Sequence, residues 1–283
     1  MQPVVATNDP QAVEREVVSI FRSMFPMDDP AGVARAISWA TECFTGKYAD
    51  YQAVDAHYHD FEHTLQGTLC LMRLLRGRHA AAVAPRLTSQ MFELALLAIL
   101  FHDTGYLKRR HDHEGTGAKF TLYHVSRSAD FAGVLLTERG FTAADILSVQ
   151  NMIRCTGVNV DLRAIPFQSE LERILGGALS TADLLGQMAA ADYVDKLPVL
   201  YEEFAESARY HGQSSATGGF ASAADLIAKT PGFWEKYVLP KIEKDFHGLY
   251  KFLNDPYPDG PNPYLKHINA NLERLRQQLA AKA

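Results

Sequence analysis

Apolar residues recur three or four positions apart through almost the whole of this chain, which is the period of an amphipathic helix rather than of a strand. A chain patterned this way buries its apolar stripes by packing helix on helix, so the expected fold is an all-α bundle. Asp9-Pro10 and Asp29-Pro30 each read as a helix start, with Asp as N-cap and Pro in the first turn. Further helices are expected at about 55–76, 88–103, 115–139 with a break near Ser126, 142–154, 168–190, 191–209, 222–252 and 262–282. Residues 156–166 and the Ser- and Gly-rich 212–219 interrupt the pattern and read as loops, the second as a mobile lid.

With 283 residues, 47% of them hydrophobic, the chain can bury a sizeable core. One domain over 1–283 is expected, with a core at about 50–200, extra helices before it and a helical extension at about 220–283. In the last helix Ile268, Leu272, Leu275 and Leu279 read as packing on the chain's own core; a dimer seam is the alternative, which leaves an oligomer open. Lys plus Arg number 28 against 33 Asp plus Glu, a formal charge of −5, so neither nucleic acid nor an anionic membrane is the expected partner. A small molecule is. The longest apolar run, residues 94–101, is too short to span a bilayer, and the first ten residues lack the basic and apolar stretches of a secretory signal. Cys43, Cys70 and Cys155 are dispersed, with no CxxC pair, and fit a reducing cytoplasm.

Histidine is the compositional oddity: eight of the eleven fall within residues 57–124. His59 and His63 are four apart, and on a helix at 55–76 both imidazoles share one face. His102-Asp103 closes an apolar helix just before Gly105, which places two polar groups at the rim of a core element. Neutral imidazole and anionic carboxylate together suit a divalent cation. Asp183 is the further candidate ligand, because it stands alone in an apolar helical stretch where an unpaired carboxylate is costly to bury.

His63, then His102-Asp103, then Asp183, separated by 39 and 80 residues, resemble the His, His-Asp, Asp signature of the HD-domain metal-dependent phosphohydrolases. The resemblance covers residues 50–200 and implies an HD-domain-like helical bundle. It also implies a divalent metal (Zn, Mn, Fe, Mg or Ni) on those four residues. The activity implied is hydrolysis of a phosphomonoester or phosphodiester, with a nucleotide as the expected substrate. Tyr58-His59-Asp60-x-x-His63 is similar to the YHNxxH motif of the cyclic-nucleotide phosphodiesterases in the same superfamily, with Asp60 in place of Asn. That likeness implies His59 as general acid and His63 as metal ligand. The structural alternative for His59 is a hydrogen bond to Asp55.

His113 and Glu114 are candidates for a second metal or a base, and Lys108 and Arg109 for phosphate binding. His111 and His124 read as solvated or hydrogen-bonded surface histidines. Asp192, Tyr193, Asp195 and Lys196 follow the Asp183 helix and can line a pocket without an assigned role. Two alternatives stand beside hydrolysis: a di-iron HD-domain oxygenase acting on a small hydroxylated substrate, and a non-catalytic ligand-sensing HD module.

Overall fold

A computed structural model describes residues 5–158, 160–212 and 219–281, and all regular structure among them is helical; the extended pairings are two isolated bridges, Thr45 with Ala53 and Tyr51 with Arg109. Asn159, in the loop expected at 156–166, and residues 213–218 of the expected lid lie outside the described residues. No helix among the described residues is long and apolar enough to cross a membrane. The three cysteines are buried and form no disulfide.

The chain opens with α1 (Pro10–Met24) and α2 (Ala31–Phe44). The expected cap of α1 is present, Asp9 accepting from the Gln11 N–H with Pro10 in the first turn, whereas the N-cap position of α2 is Pro30 and Asp29 stands one residue earlier, accepting from the Ala31 N–H. Then follow α3 (Phe61–Ala80), α4 (Ser89–Phe101), α5 (His124–Glu138), α6 (Ala143–Arg154), α7 (Glu170–Met188) and α8 (Tyr193–Tyr210). The last two are α9 (Ala223–Phe233) and α10 (Pro263–Ala280).

The core is built around α4, which is apolar on every side because it has helices on every side: α2, α3, α5, α6 and α7 all pack on it. Leu94 and every residue from Ala95 to Phe101 are buried, and each large apolar side chain among them contributes about 1.5–3 kcal/mol. The most extensive helix pair is α3 with α7. A Cβ on Gly186 would lie 2.9 Å from the Gly67 backbone nitrogen, so a bare backbone at this crossing is what lets the two helices meet so closely. That crossing brings His63 on α3 alongside Asp183 on α7.

Three expected helices differ from their sequence reading, each for a local reason. The helix expected at 55–76 begins only at Phe61, because the Asp60 side chain accepts from the His63 N–H and caps it there. The segment 115–139 is divided into a 3₁₀ turn, Gly117–Phe120, and α5; the break falls at residues 121–123, ahead of Ser126. The segment 222–252 stays helical only to Phe233. Pro231 and Pro240 lack the N–H a helix interior needs, and π-helical turns (Trp234–Val238, Lys241–Asp245) and a 3₁₀ turn (Leu249–Leu253) follow.

The stripe of α10 packs within the chain. Ile268, Leu272 and Leu275 are buried, with α10 against α7, α8 and α9. The Asn271 amide also donates to the carbonyls of Met188 and Ala190, at the end of the helix that carries Asp183.

Candidate metal centre

Four donor atoms from three helices meet at one point. His63 Nε2 lies 3.2 Å from Asp103 Oδ2 and 3.2 Å from Asp183 Oδ1, and His102 Nε2 lies 3.2 and 3.4 Å from the same two oxygens. His63, His102 and Asp103 are buried and have their donor atoms within 4.8 Å of one another; Asp183 adds the fourth from α7. Two ligands held at about 2.1 Å from one ion, at angles between square and tetrahedral, stand about 3.0–3.4 Å apart. The four nitrogen–oxygen spacings lie in that range, and His63, His102 and Asp103 are the set that could hold a metal ion.

Direction agrees with distance. His102 Nδ1 lies 2.8 Å from the Ile99 carbonyl oxygen, so Nδ1 carries the proton and Nε2 presents a lone pair to the cluster. Although His102 Nε2 and Asp103 Oδ2 are in contact, neither has a hydrogen-bond partner. Two neutral imidazoles and two carboxylates carry a charge of −2, which a divalent ion neutralises.

Without an ion, these groups must satisfy one another. Burial acts to lower the His63 imidazole, but Asp103 and Asp183 outweigh it and push it up to about 9. His102 is raised well above its ordinary range against the same burial, by the same two carboxylates. Burial alone would raise Asp103 and Asp183; His102 and His63 instead hold both below the usual carboxylate range.

A second set of side chains fixes Asp183. The Gln187 amide, one turn along α7, donates to the Asp183 carbonyl and reaches Oδ1 at 3.4 Å, and the Tyr58 hydroxyl donates to Gln187 Oε1 at 2.8 Å. Beside His63 a narrow cleft opens, with a cavity volume of about 10 Å³, lined by Tyr58, Gln66, Gln187, Tyr193 and Lys196 among others. The Lys196 ammonium is paired there with Asp60 and Asp192.

His59 reaches the centre by a route the sequence reading did not foresee. It precedes the Asp60 cap and so is not on the helical face of His63, as a helix at 55–76 required. Its Nδ1 lies 2.6 Å from Glu203 Oε2, and Glu203 Oε1 accepts from the Tyr58 N–H. Asp55, the alternative partner, is taken up by Lys108 and the Gly117 N–H. Burial would raise the Glu203 carboxyl, but the His59 imidazole and the backbone N–H groups of Tyr58 and His59 hold it down, so it stays ionised. Glu203 anchors Nδ1 and leaves His59 Nε2 as the exchangeable position.

Two further aromatic residues stand at the centre. Tyr106 stacks on His59 with ring centroids 4.5 Å apart and on His124 at 4.7 Å. His124, expected at the surface, points Nε2 at Asp103 Oδ1 from 3.7 Å while Nδ1 bonds the Thr121 carbonyl. Burial depresses its imidazole. Its approach depends on Gly105, where a Cβ would lie 2.0 Å from the His124 carbonyl oxygen. Glu203 and Glu206 are one turn apart on α8, and Glu206 holds Thr116 through both its N–H and its hydroxyl.

The remaining candidates are not brought to the cluster. Lys108 is buried, with its ammonium paired to Asp55 and donating to the Gly115 carbonyl, which commits two of its three protons to that clamp. Arg109 is exposed and lies over the Tyr51 ring. His113 and Glu114 are exposed in the same loop, which Lys119 pins by bonding Asp112 and the Glu114 carbonyl.

One family model, Npun_R2479-like, matches residues 108–254. The matched span contains His124, Asp183 and Glu203 and begins after His63 and His102-Asp103. No curated protein matches the chain.

Proposed function

This chain belongs to the Npun_R2479-like family, whose model spans just over half of it, and we propose that it is a metal-dependent phosphohydrolase acting on a phosphomonoester or phosphodiester. One observation carries the reading: His102 Nε2 and Asp103 Oδ2, both buried and without hydrogen-bond partners, converge with His63 and Asp183 on one point beside the His59–Glu203 pair. The order of the four donors and the placement of His102-Asp103 at the end of α4 support the HD-domain likeness, and a nucleotide is the substrate class that likeness suggests.

A divalent ion on His63, His102, Asp103 and Asp183 supplies Lewis-acid stabilisation of charge on a phosphoryl group. Two nitrogens and two carboxylates favour Zn, Mn, Fe or Ni over Mg. His59 is the general acid: protonated, it gives the Nε2 proton to the leaving oxygen while Glu203 holds Nδ1–H and balances the imidazolium charge. Gln187 and Tyr58 keep Asp183 oriented. For the oxygenase alternative, His124 beside the second Asp103 oxygen is one further nitrogen donor, where a di-iron centre requires several.

Reconstitution with Mn or Zn, followed by a screen of phosphomonoesters, cyclic nucleotides and nucleoside triphosphates without oxygen, tests the proposal. Anaerobic release of phosphate or of a nucleotide is expected. Product formation that strictly requires oxygen would replace hydrolysis with oxidation.

A further inference from the structure

Tyr106 presents a buried hydroxyl with no hydrogen-bond partner, although the whole residue is sealed from solvent. Buried hydroxyls are nearly always paired, so an orphan at a candidate reaction centre calls for an explanation. The Thr121 hydroxyl alongside donates to the Ala118 carbonyl instead. The ring is clamped in place by its stacking on His59 and His124, with planes within 12° and 24° of parallel.

The backbone offers no escape. Tyr106 closes the 3₁₀ turn Thr104–Tyr106 that continues directly from Asp103, and its N–H donates to the Asp103 carbonyl. The Gly105 N–H donates to the Ser128 hydroxyl, while Arg127 donates to the carbonyls of Gly105 and Leu107. The turn is therefore held at both flanks, and the phenol stays beside the residues that carry the chemistry. Burial, reinforced by Asp103, Glu203 and Asp183 and opposed by the Thr121 hydroxyl, raises the phenol well above its ordinary range and keeps it protonated. It is a donor, and the nearby carboxylates face imidazoles rather than the phenol.

We propose that the Tyr106 hydroxyl donates a hydrogen bond to an oxygen of the phosphoryl group bound at the four-donor cluster, and so is a residue that touches substrate. A buried donor whose acceptor arrives with the ligand explains both the orphan and its rigid placement. The inference rests on the phosphohydrolase reading, and Tyr106→Phe tests it by removing the hydroxyl while keeping both ring stacks.

The measurement is a calorimetric titration of inorganic phosphate into Mn-loaded wild type and Tyr106→Phe, with metal content and melting temperature of both. The variant is expected to hold the same metal, to melt at or above the wild type because no protein bond is lost, and to bind phosphate roughly tenfold more weakly. Equal phosphate affinity in the two proteins, a variant that melts several degrees lower or fails to fold, or a metal-loaded wild type that binds no phosphate would each overturn the proposal. Phosphate binding that depends on Tyr106 in a protein that hydrolyses no phosphate ester would instead overturn the hydrolase reading and leave Tyr106 as an oxyanion-binding residue.

Discussion

Glu203 Oε2 lies 2.6 Å from His59 Nδ1 across 144 residues of sequence, and this contact, not a shared helical face, is what aims His59 at the centre. The pair is almost fully buried on the glutamate side, so the charge it carries is poorly screened and the geometry is fixed. If His59 is the acid, His59→Asn keeps metal and fold and lowers turnover roughly 10²- to 10⁴-fold. The loss shrinks for a p-nitrophenyl ester, whose leaving group needs little protonation. Equal losses for good and poor leaving groups would remove His59 from that role.

Glu203→Gln tests the partner separately. The amide retains an acceptor for Nδ1–H but not the negative charge that balances an imidazolium, so turnover is expected to fall by about one to two orders of magnitude with metal content unchanged. In a double variant with His59→Asn the two losses should not multiply, because both act through one proton. Fully multiplicative losses would show that the two residues work independently.

Gln187→Ala leaves the four donors in place but frees Asp183 from its amide contact. Metal affinity is expected to drop about 10- to 100-fold, the usual effect of removing a group that orients a ligand, with little change in melting temperature of the metal-free protein. Competition with a chromophoric chelator reads it directly. An unchanged affinity would mean that α7 alone positions Asp183.

The metal-free protein has a distinctive pH dependence. His63 is pushed up to about 9 by Asp103 and Asp183, against an unfolded value near 6.5, so the stability this proton contributes is fully present below about 6.5 and is lost as the pH rises through about 9. His102 shifts in the same direction. Thermal melts of chelator-treated protein should therefore fall between pH 6.5 and 9, while the metal-loaded protein, whose imidazoles are already deprotonated by the ion, holds its melting temperature over the same range. Parallel curves with and without metal would contradict the assignment of His63 and His102 as ligands.

The helical class was legible because the apolar period is local, and so was the spacing that singles out His63, His102, Asp103 and Asp183. What the period could not show was capping. Asp60 looks like part of a helix until its side chain is seen to hold the His63 N–H, and that one bond moves His59 off the helix. Charge near a motif was an equally poor guide, since Lys108 follows His102-Asp103 closely but turns inward to Asp55. Glu203 stands in α8 beside Glu202 and one turn from Glu206, with nothing in the pattern to choose among them. His124 and Tyr106 depend on Gly105 admitting the start of α5, a tertiary contact with no sequence period.

Elemental analysis of the purified protein beside Asp103→Ala and Asp183→Ala tests the central claim most directly. About one transition metal per chain is expected in the wild type after reconstitution, with sharp loss in both variants, since each removes an anionic ligand from a set of four. Full metal occupancy in both variants, or a folded wild type that takes up no metal, would contradict it.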